Sequence, residues 1–295
     1  VNALQPGQRL ARPVYGKNGE VLLNRGVVLT ERYIRRLREL QISAVYISDI
    51  LSADIEVDDV ISDQTRQEAI QKIKLLLSDS VGSRSVVGRS LVGIEEIART
   101  VSAIIDELLA QPNLMVNLID IRLMDEYTFA HSVNVCVLAL ITGIALKYSR
   151  HELMLLGMGA ILHDIGKMQI PQNILNKPGR LTEDEYAIVK EHTIIGYNLL
   201  REKKVSRTSA LVALQHHERY NGEGYPQGLT NEQIHDYAKI VSIVDVYDAL
   251  TADRVYRKAF PPHEAYEMLA GAGNVIFDFK FLKAFLQHVS AFPLG

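Results

Sequence analysis

The sequence predicts a mainly α-helical protein, with a helical domain over residues 113–295, a small α/β accessory module over 1–60 and a helical connector over 61–112 between them. Three observations carry this reading. Apolar residues recur at helical spacing through nearly every segment beyond residue 114. Short apolar runs punctuated by turn residues are confined to the first 60 positions. Between them, Ile70, Ile73, Leu76 and Leu77, then Ile94, Ile97, Val101, Ile104, Ile105 and Leu108, mark two helical stripes separated by a Ser/Gly-rich break at 80–85.

In the first module, Val14-Tyr15 and Val21-Leu22-Leu23 flank Gly16-Lys17-Asn18-Gly19, a hairpin signal because Asn-Gly tolerates the positive φ of a tight turn. Thr30 caps a helix running to Leu40, with Tyr33, Ile34, Leu37 and Leu40 as its stripe. Ala44 to Ile47 reads as a short strand. No catalytic cluster falls in this module, which suits a docking or sensing role. The stripe at 91–109 offers a face for a second subunit, and the first module one for a regulatory protein.

The helical domain divides into spans at 115–146, 150–163, 183–201, 206–218, 231–254, 263–270 and 278–288. Thr182 and Glu185 have capping-box spacing, just after a Pro178-Gly179 turn.

Composition narrows the function. A hydrophobic fraction of 47% with 23% charged residues is that of a globular protein. A formal net charge of −3 gives no support to a general DNA or RNA binder. The lone cysteine, Cys136, cannot form an internal disulfide and lies in an apolar run, so it reads as a buried small side chain. No leader is apparent, and no apolar run approaches the ~20 residues of a membrane span, which predicts a cytoplasmic location. The terminal Val1 and Gly295 fit a fragment of a longer precursor.

Six of the nine histidines fall between 131 and 217. His151 opens a polar helix end and reads as exposed. The others, His131, His163, His192, His216 and His217, interrupt apolar segments or stand beside polar groups. Asp164 follows His163 directly, at the end of a segment that reads as buried, and Asp245 sits in the apolar run 240–246 with Asp248 three residues on, near the same face. A buried Asp requires a cation or a hydrogen-bond network. Each position alone also fits a hydrogen-bonded core residue; five His and two Asp together point to a metal centre assembled from several helices. Its N/O ligands suit Fe, Mn, Zn, Co or Ni. His131, His163, Asp164 and Asp245 supply one ion. His192, His216 and His217 exceed what that ion needs, which with a bridging Asp164 favours two ions. Two such ions can activate a hydroxide and stabilise a phosphoryl oxygen.

These residues resemble the HD superfamily of metal phosphohydrolases, and specifically its HD-GYP branch. The resemblance rests on His163-Asp164-Ile165-Gly166-Lys167, on residues 216–226 (His-His-Glu-Arg-Tyr-Asn-Gly-Glu-Gly-Tyr-Pro), and on Asp245-Val246-Tyr247-Asp248-Ala249-Leu250-Thr251-Ala252-Asp253-Arg254. It covers about residues 115–270. It implies hydrolysis of cyclic di-GMP to linear pGpG, with some members continuing to GMP. The metal ligands it implies are His131, His163, Asp164, His192, His216, His217 and Asp245. It makes Asp164 and Lys167 catalytic, with Lys167 also on the substrate phosphate. Gly222, Gly224, Tyr225 and Pro226 form the loop beside substrate, and Arg254 and Arg257 hold its phosphates. Iron or manganese is the implied metal. Some members carry a Glu four residues before the first His and bind a third ion; here that residue is Tyr127, which favours two ions over three. The same ligands would also serve a receptor that binds a cyclic dinucleotide without hydrolysis, or an HD enzyme acting on another phosphoester.

Overall fold

A computed structural model describes residues 1, 3–16, 20–40, 42, 45–48, 60–79, 87–111, 127–252 and 259–290. It is mainly helical, as expected. In the first module, β1 (Arg9–Leu10) pairs antiparallel with β4 (Ile47–Ser48), and β2 (Val14–Tyr15) pairs with β3 (Val21–Leu23) in the expected hairpin. The Asn-Gly of that turn lies outside the described residues, as does Ala44 of the expected strand. Helix α1 (Glu31–Glu39) is capped by Thr30, whose Oγ1 accepts from Tyr33 N at 3.3 Å. Leu10, Val14, Leu29, Ile34 and Leu37 form a small core of their own.

Helices α2 (Asp63–Asp79) and α3 (Val87–Ala110) are the two helical stripes predicted for 61–112. Their apolar faces enter the same core as the helices that follow, through Ile70, Ile73, Ile97, Val101, Ile104 and Leu108. The stripe that suggested a pairing face at 91–109 is therefore largely covered within the chain. Removing this apolar surface from water is the main force holding α2 and α3 in place.

The rest of the bundle comprises α4 (Tyr127–Ala145), α5 (Arg150–Ile161), α6 (Gln172–Leu175), α7 (Glu183–Lys190), α8 (His192–Glu202), α9 (Arg207–Gln215), α10 (Asp236–Thr251), α11 (Pro262–Gly271) and α12 (Phe279–Leu286). Helix α4 is buried on nearly every side and packs on α5, α10, α12 and α2. Cys136 is buried within it and His151 is exposed, as the sequence suggests. Among the described residues, no helix is long and apolar enough to cross a membrane.

Two predicted spans differ from those found. The span 183–201 is two helices, interrupted at Glu191. There His192 Nδ1 and Thr193 Oγ1 take the Val189 and Lys190 carbonyls at 2.6 and 2.9 Å, acceptors that a continuous helix would give to its own amides. The span 231–254 is a short 3₁₀ turn at Asn231–Gln233 followed by α10, because His235 adopts extended backbone and caps Tyr237 N at 3.1 Å. Residues 115–126 of the first span lie outside the described residues. The capping box at Thr182 is present, with Glu185 Oε2 accepting from Thr182 N at 2.8 Å.

Candidate metal centre

Every predicted ligand arrives from a helix interior or a helix end. His131 projects from α4, and Asp245 from α10. His163 and Asp164 follow α5, His192 opens α8, and His216 and His217 follow α9. All seven converge.

At three helix ends one device sets the imidazole. His163 Nδ1 lies 2.7 Å from Ala160 O, His192 Nδ1 2.6 Å from Val189 O, and His216 Nδ1 3.0 Å from Val212 O. A carbonyl can only accept, so each Nδ1 carries the proton and each Nε2 keeps its lone pair. His131 is set differently: its Nδ1 lies 2.6 Å from Asp248 Oδ2. The four Nε2 atoms then face the two carboxylates. Asp164 Oδ1 is 3.4 Å from His192 Nε2 and 3.7 Å from His216 Nε2. Asp164 Oδ2 is 3.4 Å from His163 Nε2 and 3.9 Å from His131 Nε2. Asp245 Oδ1 is 3.1 Å from His131 Nε2 and 3.9 Å from His163 Nε2. The two oxygens of Asp164 thus address two different ligand groups. One comprises His131 and His163, and the other His192, His216 and His217.

The residues fit divalent metal. His163 Nε2 and Asp164 Oδ1 are buried without a hydrogen-bond partner, a costly state that a cation at the shared focus relieves. The charge states agree. Burial works against the Asp164 charge, but Lys167 and His163 outweigh it and hold the carboxyl well below its ordinary range. Asp245 is likewise depressed, by His131 against its own burial. Burial lowers His192 to about 4 and keeps His217 well below its usual value, so both are neutral donors. His131 is the exception. Burial disfavours its charge, yet Asp245 and Asp248 raise it to about 10, so without metal a proton occupies the ligand position.

Lys167 stands in the 3₁₀ turn Ile165–Gln169, with Nζ 2.5 Å from Asp164 Oδ2 and its side chain 34% exposed, so it reaches the mouth of the centre. The turn lies tight against α8: a Cβ on Gly166 would overlap the His192 carbonyl. The loop after His217 is held by Glu218, whose buried carboxylate accepts from Gln227 N at 2.7 Å and Leu229 N at 2.9 Å. Gly222 in that loop has φ +81°, which a side chain would strain. The Gly224 backbone presses on Glu218 and Arg219, leaving no room for a Cβ. Tyr225 and Pro226 follow. The Tyr225 ring stacks on His217, centroids 4.7 Å apart at 28°. Arg254 and Arg257 lie outside the described residues.

Sequence reasoning did not assign Glu218, Asn134, or the aromatic neighbour Tyr186, whose ring meets Tyr225 edge-on at 6.2 Å. Nor did it give Asp248 its partner, although the spacing to Asp245 placed it near the right face. The spacing of His131 and Asn134 is the matching signal on α4.

A fold of packed helices carrying an adjacent His-Asp pair at a shared His/Asp focus is that of the HD-domain proteins. The HD domain family profile matches residues 113–280, more than half of the chain, and the protein belongs to that family. Over its whole length the fold is similar to that of Bd1817, an HDG"Y"P protein from Bdellovibrio bacteriovorus, with a TM-score of 0.64, 19% identity and 97% of each chain covered. The chain is 40% identical over 199 residues to the cyclic di-GMP phosphodiesterase PA4108 of Pseudomonas aeruginosa, covering 66% of this chain and 48% of that protein. It is 36% identical over 143 residues to the 3'3'-cGAMP-specific phosphodiesterase 3 of Vibrio cholerae, covering 48% of this chain and 31% of that protein. The chain therefore spans about half or less of the length of these two phosphodiesterases.

Proposed function

We propose that this protein is a member of the HD-GYP branch that hydrolyses cyclic di-GMP to linear pGpG at a two-metal centre of iron or manganese. The observation that carries the reading is the division of Asp164, one oxygen toward His131 and His163 and the other toward His192 and His216. When bound there, two divalent ions supply a nucleophile from water at neutral pH and offset charge on the phosphoryl group.

The chain's own residues do the rest. Lys167 leaves Asp164 to donate to a phosphate oxygen, and it delivers a proton to the ribose oxygen as the P–O bond breaks and the oxygen of water bonds to phosphorus. The loop of Gly222, Gly224, Tyr225 and Pro226 walls the substrate side, with Tyr225 held flat on His217 to receive a base or a ribose. Arg254 and Arg257 supply forked donors to the second phosphate. A second linear cleavage would give GMP.

A second reading, action on 3'3'-cGAMP, is favoured by the Vibrio cholerae relative named above. The two are separated by measuring kcat/KM for both cyclic dinucleotides on one metal-loaded preparation. A clear preference for cyclic di-GMP supports the first reading, and the reverse preference replaces it with the second.

A further inference from the structure

A file of buried side chains joins the metal centre to a helix outside the HD match. Arg66 of α2 donates from an Nη1 amine to Asn134 Oδ1 at 3.0 Å. Asn134 Nδ2 donates to Asp248 Oδ1 at 3.1 Å. The other oxygen of Asp248 holds His131 Nδ1 at 2.6 Å. Exposure along the file is 8% for Arg66, 4% for Asn134, 0% for Asp248 and 5% for His131, so water does not substitute for any link.

The order of groups is chemically directed. Arg can only donate and an ionised Asp can only accept, so the Asn amide between them has one satisfactory orientation. It places an amide donor on Asp248 Oδ1, while His131 Nδ1 occupies the other oxygen. Buried charges of this kind demand hydrogen-bonded compensation. The start of α2 is itself pinned. Ser62 N and Oγ donate to the Glu107 carboxylate of α3 at 2.7 and 3.1 Å, and Thr65 Oγ1 donates to the same group.

We propose that Arg66 is a positioning residue of the metal centre, acting on His131 through Asn134 and Asp248. Helix α2 is then part of the site's support through this one side chain. This inference rests on the reading of the centre as a metal site, but not on the identity of the substrate.

The test is Mn²⁺ titration of the metal-free chain, with free Mn²⁺ followed by electron paramagnetic resonance and the melting temperature taken on each sample. Arg66→Ala and Asn134→Leu should each weaken binding roughly tenfold, and Ile70→Ala, a packing loss in the same helix, should lower the melting temperature while leaving affinity within about twofold. The double variant Arg66→Ala/Asn134→Leu should be no weaker than Asn134→Leu alone, because both cut one file. Arg66→Met keeps the long stem of the side chain while removing its donors, and decides the matter if Arg66→Ala does not fold. Wild-type affinity in the folded Arg66 or Asn134 variants, additive losses in the double variant, or an equal loss in Ile70→Ala would overturn the proposal. A wild-type chain that takes up no Mn²⁺ overturns it together with the metal reading. Metal uptake with the expected variant pattern, but no turnover of either cyclic dinucleotide, supports it and removes only the proposed substrate.

Discussion

Asp248 fixes His131: its Oδ2 lies 2.6 Å from the imidazole Nδ1, and its side chain is fully buried. That bond turns Nε2 toward Asp245 and Asp164, 3.1 and 3.9 Å away. A carboxylate on the far nitrogen both orients a ligating imidazole and makes it a better donor. Asp248→Ala is expected to weaken metal binding by about 10–100-fold, measured by titration of the metal-free protein. Unchanged affinity in a folded variant would show that His131 needs no such support.

Asp164 is shared between two ligand groups, whereas Asp245 has its contacts within 4 Å, among the described residues, to His131 and His163. Metal content should therefore respond differently to the two substitutions. Asp164→Ala should deplete both positions, and Asp245→Ala chiefly the one at His131 and His163. Elemental analysis of the purified variants distinguishes this from a single-ion centre, in which both substitutions would empty the same site.

Lys167→Met should lower kcat by roughly 10²–10³-fold, the usual cost of removing one donor aimed at developing charge. Metal content should stay near wild type, since the Lys167 amine is no ligand. A drop in metal content would instead make Lys167 a support of the centre through Asp164.

The metal-free protein should show opposed pH trends on the two sides of neutrality. His131 is raised to about 10 in the folded state, so between about 6.5 and that value the folded chain holds a proton the unfolded chain has released. Its stabilising contribution is complete below about 6.5 and is lost as pH rises through the folded value. His192 is lowered to about 4, so between that value and about 6.5 the unfolded chain binds the extra proton and stability falls as pH falls. On the proposed ligand assignment a metal at His131 displaces that proton, so Mn²⁺ binding near pH 8 should release protons and tighten as pH rises. Calorimetry in buffers of different ionisation enthalpy reads that release, which His131→Asn should abolish.

Gly166 is required by a close approach, since a Cβ there would overlap the His192 carbonyl and crowd Gly196 N. Backbone cannot yield as a side-chain tip can. Gly166→Ala is expected to cost about 3 kcal/mol in denaturant unfolding and to disturb His163 and His192 together. A loss under about 1 kcal/mol would mean that the turn can shift without consequence.

What the sequence made legible follows from local rules. Helical periodicity identified α4, α5, α9 and α10 as the elements bearing polar ligands among apolar neighbours, and capping chemistry located the starts of α1 and α7. It did not reveal the interruption at Glu191, because that depends on where His192 and Thr193 send their side chains rather than on apolar spacing. An excess of ligands singled out Asp164 as the carboxylate common to two ligand groups. The orientation of each imidazole was not, since the acceptors are carbonyls whose position is known only once the helix ends. Arg66 read as one charge on a connecting helix. Its meaning lies in a contact with Asn134, 68 positions away, which no local pattern encodes.

Hydrolysis of cyclic di-GMP should be followed anaerobically, on protein reconstituted separately with iron, manganese and zinc and with metal counted on each sample. The expected result is linear pGpG formed in proportion to bound iron or manganese, at about two ions per chain, and none from Asp164→Ala. Folded protein that holds two ions and leaves both cyclic di-GMP and 3'3'-cGAMP intact would contradict a phosphodiesterase centre.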